Sequence, residues 1–294
     1  MNYYIDTHFH LFPEANSFNF DPDKIVKGAI RKGVKEMWLA STNAKDIQKN
    51  LDFAKKYPKN LKIWVGYHPE HFEDYDKEFL SEILNSKFPS TNFQTNPKSQ
   101  NSGPKTNYPL PNSIVGVGEI GMDLKWNEKS TIVEQQKIFE EQIRLAIKHN
   151  LPIAVHSRQA FKETFEVLER YPDLKLVWHC YNLGVTETKS LVRSFPNIFF
   201  GFNAIITYKS GIPIQESILE IPDNKILTET DAPFLPPRSF KSPYNTPEGV
   251  ISVYQKLAQV KNIDLEQLEY LILDNSRRLT EKLKSPILPV GRQV

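Results

Sequence analysis

Eight short apolar runs recur along the chain, at 3–11, 35–40, 62–66, 113–119, 152–156, 175–179, 197–202 and 225–230. Each is rich in Ile, Val, Phe or Trp and nearly unbroken by polar residues. A strand covered on both faces has that continuity, whereas a strand with one wet face alternates, so the runs predict parallel-sheet strands. Amphipathic segments lie between them. The segment 44–57 sets Ile47, Leu51 and Ala54 on one face, with Lys and Asp opposite. The segment 131–149 opens on a capping-box pattern, Thr131-Ile132-Val133-Glu134, and continues with Ile138, Gln142, Leu145 and Lys148 at helical spacing. Further helices are predicted over 161–171, 186–195, 213–219, 247–260 and 265–283. Strands alternating with helices form right-handed βαβ units, and eight strands predict a closed (β/α)8 TIM barrel. A doubly wound open sheet is the other architecture, but its Gly-x-Gly-x-x-Gly turn is absent.

One stretch breaks the alternation. Residues 85–112 hold five Pro, six Asn, four Ser and three Thr, with no Asp or Glu. So few apolar side chains do not offset the entropy of ordering the backbone, and a surface insertion is expected. Length alone, at 294 residues, suggests two domains under a prior of about 150 residues each. Setting the 28-residue insertion aside leaves 266, the size of one barrel. The expected organisation is one barrel over 1–284 and a tail over 285–294.

Composition narrows the class without naming a function. The chain is 39% hydrophobic and 24% charged, as soluble globular proteins are. No apolar run reaches spanning length, and the start lacks a basic region followed by an apolar one, so neither a membrane helix nor a secretory signal is expected. The single cysteine, Cys180, excludes a disulfide framework and suits a reducing, cytoplasmic location. Thirty-seven basic residues against 35 acidic ones give a net charge of +2. That balance argues against a broad basic face for nucleic acid and for contact at a small mouth.

In a barrel, chemistry sits at the C-terminal strand ends, and the ionisable residues collect there. The first strand ends Asp6-Thr7-His8-Phe9-His10, and side chains two apart share a face. His8 and His10 are thus a candidate metal-binding pair, or two unrelated polar residues. Glu119 ends a nearly wholly apolar run, where a charge requires a cation or a basic partner. His156 and His179 end the fifth and sixth strands. Glu229 and Asp231 share a face at the end of the eighth. Asp231 is a candidate ligand and proton acceptor; Glu229 either orients a ligand or is an ion-pair partner. Four His and two carboxylates exceed one zinc site and suit two ions about 3.5–4 Å apart that share a carboxylate.

These segments, with Gly66-Tyr67-His68-Pro69, His156-Ser157-Arg158, His179-Cys180-Tyr181 and Glu229-Thr230-Asp231-Ala232-Pro233, resemble the TatD-like metal-dependent deoxyribonucleases among the amidohydrolase-like barrels. They fall in the family's order from residue 6 to about 250. The resemblance implies one ion held by His8, His10, Glu119 and Asp231, and a second held by Glu119, His156 and His179. It implies Asp231 as general base, Glu119 as the shared catalytic carboxylate, and His68 and Arg158 as contacts to substrate phosphate. It also implies Zn, Mn or Mg as the metal and single-stranded DNA, or its 3' ends, as substrate. No membrane and no obligate protein partner are expected. His71 and His149 match nothing in the pattern and are read as surface residues, and Cys180 as structural. Three places depart from the family: Leu124, Lys125 and Trp126 replace an aromatic followed by Arg, Asn182-Leu183-Gly184 replaces a Gly-Ser-like turn, and Gln159 replaces an acid. These loops leave two other functions open: an amide, ester or lactone hydrolase on the same ions, and a scaffold that retains the barrel for binding.

Overall fold

A computed structural model of the chain describes residues 3–12, 21–87, 113–125 and 131–282. Eight strands, β1 (Tyr4–Phe9), β2 (Val34–Ala40), β3 (Leu61–Val65), β4 (Ile114–Asp123), β5 (Ile153–Arg158), β6 (Leu176–Trp178), β7 (Ile198–Phe202) and β8 (Ile226–Thr228), form one sheet in sequential order. Each strand pairs in parallel with the next. The helices are α1 (Pro22–Arg31), α2 (Ala44–Ala54), α3 (Lys77–Lys87), α4 (Ile132–Lys148), α5 (Phe161–Leu168), α6 (Val185–Ser194), α7 (Ile212–Leu219), α8 (Val250–Lys261) and α9 (Leu265–Thr280). All eight expected strands are present and the architecture is the (β/α)8 barrel.

Two helices go beyond the sequence reading. At α1, Asp21 caps the first turn by accepting from Lys24 N, and Pro22 stands where its missing N–H costs nothing. At α3, Leu80, Ile83 and Leu84 are buried at helical spacing, so the expected insertion gives up its first three positions to this helix. The remainder of that stretch, 88–112, lies outside the described residues, as do Trp126 and the tail. The expected capping box fails. Thr131 makes no cap bond to the backbone, and its hydroxyl instead accepts from Gln135 Nε2.

The barrel interior is a plug of Trp38, Trp64, Val115, Ala154, Val177, Phe199 and Leu227, with Leu279 of α9 joining it. Because side chains two apart share a strand face, the plug fixes what stands above it. Ala154 is followed by His156, Val177 by His179, and Leu227 by Glu229. The seam between β1 and β8 is sewn by side chains: Thr7 Oγ1 donates to Thr228 O at 3.0 Å and Thr228 Oγ1 to Ile5 O at 2.8 Å. Asp6, fully buried, accepts from Thr230 N at 2.9 Å, Thr230 Oγ1 at 2.6 Å and His8 N at 3.3 Å.

Candidate metal centre

Just past the strand ends the backbone turns sharply. Gln159, Cys180 and Asp231 take positive φ one, two and three residues past the ends of β5, β6 and β8, a conformation few non-glycine residues adopt and one that collects at functional sites. Gly121 has φ +148°, and a Cβ there would collide with the His156 carbonyl, so only glycine lets β4 and β5 meet at this level. Gly201 of β7 likewise leaves the space that the Glu229 carboxylate fills.

Glu119 is the hub. Its Oε2 lies 3.2 Å from His8 Nε2 and 3.5 Å from His10 Nε2. Its Oε1 lies 2.6 Å from His156 Nδ1, 3.5 Å from His179 Nε2 and 3.6 Å from His68 Nε2. Asp231 Oδ1 sits 3.5 Å from His10 Nε2 and 3.6 Å from His179 Nε2, bordering both groups. Among the described residues, three sets offer ligand atoms mutually within 4.8 Å: His8–His179–Asp231, His8–His10–Glu119 and His68–Glu119–His156. The structure therefore brings together every expected ligand, adds His68 to the cluster, and leaves Arg158 at the exposed end of β5. His71 and His149 are half-buried, and neither enters these sets.

Two carboxylates stand behind the imidazoles. Asp123 Oδ2 is 3.0 Å from His156 Nε2, and Glu229 Oε1 is 2.9 Å from His179 Nδ1. Glu229 stands at ion-pair distance behind His179, and it also accepts from Cys180 N at 2.7 Å. Asp123 was not expected, although positions 119, 121 and 123 of one strand share a face. Two glutamines of α4 were missed as well. Gln135 accepts from Asp123 N and donates to Asp123 O, at 2.9 and 3.1 Å. Two turns on, Gln142 does the same for Tyr67, at 2.8 and 3.0 Å, immediately before His68. Each amide acts as a one-residue strand partner that fixes a loop of the mouth.

Burial opposes charge on all these groups, and the neighbours decide the outcome. Burial pushes His156 down, but hydrogen bonds to Asp123 and Glu119 outweigh it and raise it to about 9. Burial likewise pushes His179 down, but Glu229, Glu119 and Asp231 raise it to about 10. Glu119 is held well below the usual carboxylate range: burial pushes it up, and His179, His68 and His8 prevail. Asp231 is lowered in the same way, with burial outweighed by His179 and His10. His68 is driven well down by burial and by His156. Its Nδ1 accepts from Glu70 N at 3.1 Å, so the neutral ring carries its proton on Nε2, toward Glu119.

This donor set fits divalent metal. With Asp123 on His156 Nε2 and Glu229 beside His179 Nδ1, the nitrogens His156 Nδ1 and His179 Nε2 face inward beside His8 Nε2 and His10 Nε2, around ionised oxygens, and become lone-pair donors once their protons leave. Buried carboxylate and imidazole at such density are what a cation's charge compensates. Fold and donor set together define a barrel hydrolase that works with bound metal. The family model described as TatD related DNase matches residues 5–281, and the chain belongs to that family. It is 28% identical to an uncharacterized metal-dependent hydrolase of Mycoplasma genitalium, MG009, over 94% of this chain and 98% of the relative. It is also 28% identical to a 3'-5' ssDNA/RNA exonuclease TatD of Erwinia tasmaniensis, over 90% and 95%. The crystal structure of the TatD homolog YJJV of Escherichia coli superposes with a TM-score of 0.77 at 25% identity, covering 94% of this chain and 97% of that one. Among the described residues, no helix is long and apolar enough to cross a membrane.

Proposed function

We propose that the chain is a nuclease that hydrolyses phosphodiester bonds at the ends of single-stranded DNA, with two divalent ions held on either side of Glu119. The observation that carries this reading is the division of the imidazoles between the two oxygens of one buried carboxylate: His8 and His10 face Oε2, while His156 and His179 face Oε1. The Erwinia tasmaniensis relative, named as an exonuclease on ssDNA and RNA, supports the choice of bond. One ion would be held by His8, His10, Glu119 and Asp231, and the other by Glu119, His156 and His179. When bound, such ions lower the pKa of water from 15.7 to about 7, worth roughly 12 kcal/mol, and offset charge on the phosphoryl oxygens. Imidazole-rich ligation favours Zn2+ or Mn2+ over Mg2+.

The residues of the chain supply the rest. Asp231, kept ionised by His179 and His10, is the acceptor for the proton of the attacking water. His68, neutral and protonated on Nε2, donates to a non-bridging phosphate oxygen without adding charge. Arg158 at the rim meets the next phosphate as a cation. The test is cleavage of end-labelled single-stranded DNA under Mg2+, Mn2+ and Zn2+, alongside metal analysis of the purified protein. Stepwise shortening with about two equivalents of metal is expected. If DNA stays intact under all three ions while an amide, ester or lactone is hydrolysed, the site is right and the bond is wrong.

A further inference from the structure

A second polar site lies along the loop that leaves the metal centre. After Asp231 this loop carries Phe234, exposed and edge-on to His10 with ring centroids 6.2 Å apart, then Pro236, whose carbonyl accepts from Tyr208 Oη at 2.8 Å. It continues into one wall of a cavity of about 230 Å³. That wall offers Arg238 and Ser239; the opposite wall is the outer face of α8, with Ser252, Gln255, Lys256 and Gln259. These four helix positions recur at i, i+3, i+4 and i+7, so they form one polar stripe, while Val250, Val253, Tyr254 and Leu257 bury the other face.

Apart from Pro237, the lining is hydroxyls, amides and cations, with Thr207 completing it. No carboxylate lines the cavity, and neither Arg238 nor Lys256 forms an ion pair with a described residue. From Ala232 to Ile263 the chain holds Arg238, Lys241, Lys256 and Lys261 against one acid, Glu248. Glu248 faces Gly28 of α1, and Lys261 is taken by Asp223 at 2.7 Å. A near-neutral total thus hides a locally basic segment. Arg238 is also positioned: its guanidinium lies 5.3 Å from the Tyr208 ring centroid. Arg, Lys, Ser and Gln are the side chains that contact nucleic-acid phosphates without reading bases.

We propose that this cavity is a phosphate subsite for the strand whose end occupies the metal centre, holding a backbone phosphate some nucleotides away. The proposal rests on the nuclease reading and deepens it. Arg238 stands seven positions after Asp231, and a chain of that length spans at most ~25 Å, within reach of a short single strand. Arg238 and Lys256 supply the charge, and the hydroxyls and amides supply neutral hydrogen bonds.

The test uses metal-loaded protein and a cleavage-resistant phosphorothioate oligothymidine of about 12 nucleotides, within the range one single-strand site covers. In R238E/K256E its affinity should fall about tenfold or more, and the slope of log K against log salt should drop by about 0.7 for each phosphate that the variant no longer neutralises. Binding of a phosphorothioate dinucleotide, too short to bridge the sites, should not change, nor should hydrolysis of bis(p-nitrophenyl) phosphate. R238K/K256R should keep most of the affinity. Unchanged long-strand affinity and salt slope in R238E/K256E overturn the proposal. So does calorimetry in which inorganic phosphate binding is lost in that variant while the oligonucleotide binds as before, which makes the cavity a free-anion site. A wild type that binds neither overturns it too. A wild type that binds the long strand through these residues but leaves its unmodified form uncut fails the nuclease reading and keeps the subsite.

Discussion

On the Oε1 side of Glu119, each histidine has a second carboxylate behind it: Asp123 hydrogen-bonds His156 Nε2, and Glu229 Oε1 stands 2.9 Å from His179 Nδ1, at ion-pair distance but without hydrogen-bond alignment. On the Oε2 side, the far nitrogen of His8 is buried with neither a hydrogen bond nor a carboxylate at ion-pair distance among the described residues. The strands differ in the same sense. β4 and β5 pair through a backbone ladder that extends to Asp123 and Arg158, whereas β1 meets β8 through Asp6 and threonine hydroxyls, with backbone bonds from Asp231 N to His8 O and from His10 N to Ala232 O only past the end of β8. One half of the centre has a carboxylate behind each ring; the His8 ring has none, and its orientation would rest on a bound metal and on the seam. A carboxylate behind a histidine also raises its basicity, so the Oε1 half should hold its ion more tightly.

The largest expected effect removes the boundary itself. Glu119→Gln keeps shape but takes away the charge both halves face. Turnover should fall below detection and metal content should drop on both sides, with circular dichroism unchanged. A Glu119→Gln protein that keeps either ion at full occupancy breaks the two-sided reading, because one side would then not need the shared oxygen.

A smaller change should separate the halves. Asp123→Asn and Glu229→Gln should each weaken one ion by about 10–100-fold and leave the other in place, read as a split in a calorimetric metal titration. Loss of both ions together would erase the contrast. pH sharpens it. His156 and His179 are raised to about 9 and about 10 in the metal-free protein, against an ordinary 6.5. Both are therefore protonated at neutral pH and must release protons to bind metal. Apparent metal affinity on this side should rise with pH from about 6.5 toward 9. For the metal-free protein the sign is opposite. Raised histidine pKa values contribute stability that is full below about 6.5 and is lost as pH passes through 9 to 10.

The sequence carried the candidate ligands and not their supports, for a physical reason. His8, Glu119, His156, His179 and Asp231 stand out because an ionisable residue ending an apolar run is costly unless it has a use. The strands stand out because burial on both faces leaves an unbroken apolar run. Asp123 acts through His156, and Gln135 and Gln142 act through the backbone of Asp123 and Tyr67, so their partners lie on other elements and leave no local pattern. The apparent capping box at Thr131 shows the same limit. Its hydroxyl serves Gln135, which is itself engaged with β4. The helix α1 was legible in Asp21-Pro22, yet α3 borders a polar stretch whose composition masks its three buried apolar positions.

The two glutamines of α4 give the finest division. Both offer the same paired amide contact from the same helix face, and truncating either leaves buried backbone groups without partners, at about 1–3 kcal/mol for each group. Their stability costs should therefore be alike, and what differs is the residue each one steadies. Gln135→Ala frees Asp123, so its effect should pass through His156 and appear as weaker metal binding on the Oε1 side. Gln142→Ala frees Tyr67 and, next to it, His68, which carries a donor proton toward the substrate position rather than a ligand lone pair. Its metal titration should match the wild type, and KM should rise several-fold with kcat less affected. If Gln142→Ala instead loses metal as Gln135→Ala does, His68 belongs among the ligands, and the Oε1 half holds its ion with three imidazoles.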